Sequence, residues 1–115
     1  MPAAQKPGVV QGTLDMLILK TLALQPMYGY GVGQRIEQIS KGVFQFNAGS
    51  LFPAIRRLER QGWIRGEWRA TENNRRAKYY MLSDAGRQQL KSEAREWQTQ
   101  SAAIARILAA TVGEV

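Results

Sequence analysis

The sequence contains no cysteine and no histidine. Without cysteine the chain can form neither disulfides nor thiolate metal sites. Without histidine it lacks the commonest general base and the commonest metal ligand, which excludes most hydrolase triads, zinc sites and haem ligation. The nine acidic residues are scattered, mostly on expected helix surfaces, and form no pair in a predicted pocket. We therefore expect a binding protein and not an enzyme, with no metal and no cofactor.

Long apolar runs are also missing. The longest falls far short of the ~20 residues that a membrane span needs. The first ten residues, MPAAQKPGVV, lack the apolar core of a signal peptide. These two absences predict a cytoplasmic protein without a membrane partner.

What the chain has in excess is positive charge. Of its 115 residues, 16 are lysine or arginine and 9 are acidic, which gives a net charge of +7 and a pI near 10.3. Hydrophobic types make up 44% of the chain, enough for the core of one domain. The basic balance favours a polyanionic partner, with nucleic acid first and an acidic membrane surface second.

The first half of the chain has the apolar periodicity of helices. Residues 1–11 contain two prolines and a glycine and are expected to form a flexible arm. One helix is predicted over about 13–24, with Thr13 as its cap, and a second helix with Val32, Ile36 and Ile39 on one face. A third begins after Asn47, a good N-cap, and ends before Gly62.

After Gly62 the apolar period changes from 3.6 to 2. Residues 64–69 and 78–82 alternate as strands, and the polar segment 71–76 between them contains the turn signal Asn73-Asn74. The pattern predicts a β-hairpin, with Trp63 and Trp68 filling the core at its root.

The last predicted helix starts after Ser83 and carries a heptad seam. At ~1.5 Å per residue it would span ~40 Å and extend beyond the core of a small domain, so its apolar stripe needs a cover, most simply a second copy of the chain. The predicted dimerisation residues are Leu90, Ala94, Trp97, Ser101, Ile104 and Leu108.

Three helices followed by a hairpin is the order of a winged helix-turn-helix, in which a helix enters the major groove and the basic hairpin reaches the adjacent backbone or minor groove. The fold class is therefore mainly α with a small β-hairpin, plus a long C-terminal dimerisation helix. Between Arg56 and Lys78 there are eight basic and three acidic residues. This net +5 lies on the expected recognition helix and wing, where phosphates would be neutralised.

Several motifs in this order make the chain resemble the PadR family of bacterial transcriptional regulators. They are GTLD at 12–15, YGY at 28–30, GSLFPA at 49–54, RLERQGWI at 57–64 and KYYMLSDAG at 78–86. The resemblance runs from about residue 11 to 97 and implies a winged-helix domain over 12–83 and a dimerisation helix over 84–115. It implies the smaller subclass with a single C-terminal helix, in a family whose members are mostly repressors and some of which respond to phenolic acids or flat aromatics.

This chain departs from the family pattern at two positions. Tyr28 stands where the family commonly has histidine before the Gly-Tyr pair. Phe52 stands where it usually has tyrosine, whose hydroxyl would contact a phosphate. Phe52 cannot donate that hydrogen bond, so either the contact is lost or the ring only packs.

The predicted DNA contacts lie on the third helix and the hairpin. The third helix offers cap, first-turn and basic residues; the basic residues of the hairpin have no obvious acidic partner beyond Glu72. For both groups the alternative is an ordinary solvated basic surface. The DNA-binding candidates are Asn47, Ser50, Phe52, Arg56, Arg57, Arg75, Arg76, Lys78 and Tyr79.

Trp97 has two interpretations. It packs against the partner helix in the seam, or it and its symmetry mate form the wall of a pocket for a small aromatic ligand, with space left by Ala94 and Ser101. The function expected from all these patterns is a homodimeric regulator, a repressor by resemblance, bound to a palindromic double-stranded DNA operator. The alternative is a winged-helix module that binds a protein or RNA partner without operator specificity.

Overall fold

Four helices and three short strands make up residues 11–113, the part of the chain that the computed structural model describes. The elements in chain order are α1 (Gln11–Leu24), β1 (Met27–Tyr28), α2 (Gly29–Ile39), α3 (Ala48–Arg60), β2 (Ile64–Ala70), β3 (Arg76–Leu82) and α4 (Asp84–Ala109). This mainly helical chain with a small antiparallel sheet confirms the predicted fold class. The predicted arm at 1–11 lies outside the described residues except for Gln11, which begins α1.

Helix starts follow the capping residues at two of the predicted positions. The Asn47 side chain accepts a hydrogen bond from the Ser50 N–H at 2.9 Å and starts α3. Ser83 accepts from the Gly86 N–H at 3.0 Å and starts α4. Thr13 is not a cap, because α1 begins two residues before it.

The predicted hairpin is part of a three-stranded antiparallel sheet in the order β1-β3-β2. β2 and β3 pair from Ile64↔Leu82 at the root to Ala70↔Arg76 at the tip. β1, which the sequence patterns do not predict, is two residues long and pairs along β3 through Met27↔Tyr80. We call the β2–β3 hairpin the wing.

The core lies between α1, α2, α3 and the root of the wing. α1, α2 and α3 contribute the apolar faces that their spacing predicts, but Ile39 is 57% exposed at the end of α2, contrary to the prediction. The most deeply buried large side chains are Ile18, Leu19, Val32, Ile55, Leu58 and Ile64. They fix α3 against the root of the wing.

α4 has 26 residues and packs against α1. Leu90, in the N-terminal half of α4, is half-buried against the core. Beyond it, Trp97, Ile104 and Leu108 are exposed by 45%, 51% and 79%. No helix among residues 11–113 is long and apolar enough to cross a membrane.

Candidate nucleic-acid interface

α3 presents its first turn to solvent. Asn47, Gly49 and Ser50 are exposed, while Leu51, Ala54, Ile55 and Leu58 turn inward. The strong two-sidedness of the helix follows from this alternation of small polar and aliphatic residues. Ser50 therefore stands on the outer face as the sequence predicts, and Asn47 uses its side-chain oxygen for the cap.

Arg56 and Arg60 lie one turn apart on the exposed side of α3. Arg56 is close enough to the Tyr80 phenol for its charge to lower that group's pKa, against a larger rise from burial. Glu59, on the same helix, pairs with Lys78 of β3 and brings α3 beside the wing.

Arg57 does not share that position. Its guanidinium forms an ion pair with Asp15 of α1, and the two side chains are only 24% and 14% exposed. Burial raises the pKa of Asp15, and the neighbouring Arg57 charge partly opposes the rise. We remove Arg57 from the DNA contacts proposed below, because its charge is committed within the chain.

Phe52 is half-buried and packs against the core. Its ring comes so close to Gly29 that a Cβ there would lie 2.9 Å from Phe52 Cε1. The ring packs, as one of the two alternatives for Phe52 states, and a DNA contact through Phe52 stays a prediction.

The tip of the wing carries two exposed arginines. The turn is closed by the Thr71 N–H donating to the Arg75 carbonyl at 2.6 Å, and Asn74 has a positive φ of 60°. Neither Arg75 nor Arg76 forms an ion pair within residues 11–113, and both are exposed. Their charges are available to a polyanion.

Lys78 lies within β3 opposite Trp68, in the strand predicted over 78–82. Its Nζ donates to both carboxylate oxygens of Glu59 on α3, at 2.9 and 3.1 Å. This hydrogen bond raises the pKa of Lys78. The expectation of no acidic partner beyond Glu72 is wrong, because Glu59 lies 19 residues away in sequence and meets Lys78 only in the fold.

Tyr79 and Tyr80 point to opposite faces of the sheet, as predicted. Tyr80 is 5% exposed and belongs to the core. Tyr79 is half-buried, with its ring 5.1 Å from Tyr28 in an edge-on contact and the Arg69 guanidinium 4.0 Å from its centroid. Its predicted proximity to DNA stays a prediction.

Trp68 corrects the sequence analysis. It was expected to fill the core at the root of the wing, but its side chain is 57% exposed. Trp63 instead is half-buried against the core, as expected. Arg76 Cζ lies 5.5 Å and Lys78 Nζ 5.7 Å from the Trp68 ring. In the sequence, only the proximity of Trp68 to the basic turn indicated this position beside two cations.

The Lys78–Glu59 ion pair joins α3 to the wing. We use the name basic surface for the exposed Arg56 and Arg60 of α3 together with Trp68, Arg76 and Lys78 of the wing. Glu59 is the acidic residue shown to pair within it. The predicted seam residues lie on α4, outside the basic surface. Ala94 and Ser101 are half-buried, and Trp97 is exposed. No group of three or more possible metal-ligating side chains occurs in the described part of the chain.

A winged helix with this basic surface is the architecture of a DNA-binding protein. The model of the transcriptional regulator PadR-like family matches residues 18–92. The chain belongs to the PadR-like family and is a DNA-binding transcriptional regulator, a class of protein that is not enzymatic.

The chain is also similar to individual proteins and solved structures. The chain is 27% identical over 92 residues to an uncharacterized protein of Lysinibacillus sphaericus, covering 80% of this chain and 84% of that one. It superimposes on a transcriptional regulator from Clostridium thermocellum with a TM-score of 0.78 at 26% identity, covering 86% and 96% of the two chains. A PadR family transcriptional regulator from Eggerthella lenta gives 0.75 at 30% identity, covering 88% and 86%.

Proposed function

We propose that the protein is a homodimeric repressor that binds a palindromic double-stranded DNA operator in the cytoplasm. The observation that carries this proposal is the basic surface, whose two parts, α3 and the wing, are joined by the Lys78–Glu59 ion pair. Ser50 and Arg56 read base edges from the exposed side of α3, and Arg75 and Arg76 bind phosphates. The N-terminus of α3, which Asn47 caps, carries the positive end of the helix dipole and favours a phosphate nearby.

The proposed division of the chain places DNA binding in residues 12–83 and dimerisation in 84–115. Exposed Trp97, Ile104 and Leu108 support it, because an apolar stripe at heptad spacing is stabilised when a second helix covers it. Leu90 is left out of the seam because it packs on its own core. Two-fold symmetry then sets half-sites about 10 base pairs apart, or a multiple of that.

The proposed effector is a small planar aromatic molecule held between Trp97 and its symmetry mate. The support is the exposed indole beside the small residues Ala94 and Ser101. Titrating such a compound against intrinsic fluorescence tests this, with Trp97→Ala as the comparison. Equal binding by the variant would remove Trp97 from the pocket.

The central test is size-exclusion chromatography with light scattering, followed by a salt series of binding to the DNA upstream of the chain's own gene and to random DNA. We expect about 26 kDa, twice the 12.9 kDa of one chain. We also expect preference for the upstream fragment with a steep salt slope. A reporter driven by that fragment should be less active when the protein is present. A monomer, or equal binding to both duplexes, would contradict the proposal.

A further inference from the structure

We propose that Trp68 is a DNA-contact residue, whose indole packs against the deoxyribose units of the strand that Arg76 holds by its phosphates. This inference rests on the proposed DNA-binding role of the basic surface. It adds an apolar contact to a surface otherwise described by its charges.

The position of Trp68 in the sheet explains why it is exposed. Ile64 and Trp68 lie on the same face of β2, because side chains two and four residues apart share a face. Ile64, at the root, is 1% exposed beneath the helices, whereas Trp68, four residues nearer the tip, is 57% exposed. The wing extends beyond the core at Trp68, so the indole contributes little to internal packing.

The surroundings of the indole favour a polyanion as its partner. Arg76 and Lys78 lie within 6 Å of the ring, and Glu59 links Lys78 to α3. A duplex presents phosphates alternating with apolar sugar surface, and a cation pair flanking an aromatic ring matches that alternation. A nucleic-acid duplex therefore fits this patch better than a second copy of the chain does. The apolar stripe that a second copy would cover lies on α4.

The exposed cation–π contacts do not by themselves account for a tryptophan here. At exposed sites such a contact contributes only about 0.5–1 kcal/mol. The backbone pairing of β2 and β3 already fixes the positions of Arg76 and Lys78, so the two residues do not need the indole to hold them.

The indole of Trp68 carries no charge, and this supplies a specific test. Phosphate contacts release counterions, so losing one changes the slope of log affinity against log salt. An indole releases none. Loss of Trp68 should therefore weaken binding by the same factor at every salt concentration.

The experiment measures binding of a labelled upstream duplex over a salt series for the full chain and for Trp68→Ala, Trp68→Phe and Arg76→Gln. We expect about tenfold weaker binding for Trp68→Ala with unchanged slope, as for loss of an aromatic contact to nucleic acid. Trp68→Phe should retain most of the affinity. Arg76→Gln should reduce the slope by about 0.9. Val43→Ala, at another exposed apolar site, is the matched control and should bind as the unmodified chain does.

Two results would overturn the inference. Unchanged affinity of Trp68→Ala would show that the indole does not touch DNA. A reduced slope would show that it only positions Arg76. If the unmodified chain binds no duplex, the proposed DNA interface fails as a whole, and this outcome is distinguishable from the other two.

Intrinsic fluorescence gives a second measurement that does not depend on affinity. We expect duplex binding to change the tryptophan emission of the unmodified chain and of Trp97→Phe. The emission of Trp68→Phe should not change. A change that persists in Trp68→Phe would contradict contact at Trp68. A smaller mass of Trp68→Ala in light scattering would also overturn the proposal, because it would place the indole between two copies of the chain.

Discussion

Gly86 shows how closely α4 approaches the rest of the chain at its start. It is buried in the first turn of α4, below the Ser83 cap. A Cβ at this position would overlap the Trp63 carbonyl oxygen and lie 2.7 Å from Leu82 Cδ1. Because the carbonyl is backbone, the crowding cannot be relieved by a rotamer change.

Gly86→Ala should therefore lower the free energy of unfolding, by about 3 kcal/mol. Gly12→Ala is the matched control, since nothing lies within 4 Å of a Cβ in that exposed helical position. Thermal or urea unfolding followed by circular dichroism measures both. Equal stability of the two variants would contradict the close approach of α4 to Trp63.

The buried phenol of Tyr80 makes stability depend on alkaline pH. Burial is the main reason that its pKa lies above the ordinary 10.0, with the Glu59 carboxylate adding to the rise. As pH rises through 10.0 the unfolded chain loses this proton while the folded chain keeps it. The free energy of unfolding therefore falls with increasing pH in this window. The raised pKa of Lys78 acts in the same direction above 10.5.

Tyr80→Phe should flatten this alkaline loss of stability without abolishing it, because Lys78 remains. Urea unfolding at a series of pH values from 8 upward measures the slope. Tyr30→Phe, which removes a hydroxyl from an exposed ring, controls for the substitution itself. An unchanged slope in Tyr80→Phe would show that its phenol does not titrate differently in the folded chain.

The wing and α3 are joined by the ion pair of Lys78 with Glu59, whose side chains are 29% and 26% exposed. In the free protein the carboxylate neutralises one cation of the basic surface. It also brings a negative charge close to where the phosphates would lie. Glu59 thus positions the wing while opposing DNA binding.

Glu59→Gln should therefore strengthen DNA binding and steepen the salt slope, by up to about 0.9. For the same reason Lys78→Gln should reduce the slope less than Arg76→Gln does. A salt series with the upstream duplex measures all three variants. Glu96→Gln, which removes an exposed acid on α4, is the matched control. Weaker binding by Glu59→Gln would show that holding the wing matters more than the charge.

Local patterns were sufficient to predict the elements that begin with a cap or a change of period. Asn47, Ser83 and the alternation after Gly62 place α3, α4 and the wing correctly. β1 was missed because two residues carry no periodicity, and its pairing with β3 arises only in the fold. The partners of Arg57 and Lys78 lie 42 and 19 residues away, so their charges could not be assigned from neighbours. Trp68 was misplaced because alternation specifies a face of the sheet but not where the core ends.

The two halves of α4 belong to different environments. Leu90 packs against α1 and the core of its own chain, while Leu108 is 79% exposed near the far end. The long dimension of the molecule, 64 Å against 34 and 23 Å, reflects this extension of α4 away from the winged domain. A substitution in each half should therefore affect a different property.

In the proposed dimer, Leu108→Glu should separate the two copies and leave each winged domain folded, because it places a charge in the seam. Leu90→Ala should leave the dimer intact and lower the free energy of unfolding, by about 2 kcal/mol. Light scattering over a dilution series measures the mass, and unfolding at two protein concentrations measures stability. A dimeric Leu108→Glu variant would place the interface elsewhere.

The unbroken course of α4 makes the number of its residues a geometric setting. Each residue turns the helix by about 100° and advances it by ~1.5 Å. One residue inserted between Leu90 and Trp97 would swing the distal stripe about a quarter turn away from its original direction, whereas seven would return it to within about 20°. In the proposed dimer, the number of residues in α4 therefore sets the rotation of one winged domain relative to the other. Natural length variation there would be tolerated in steps of whole heptads, and other lengths would require an operator with differently phased half-sites.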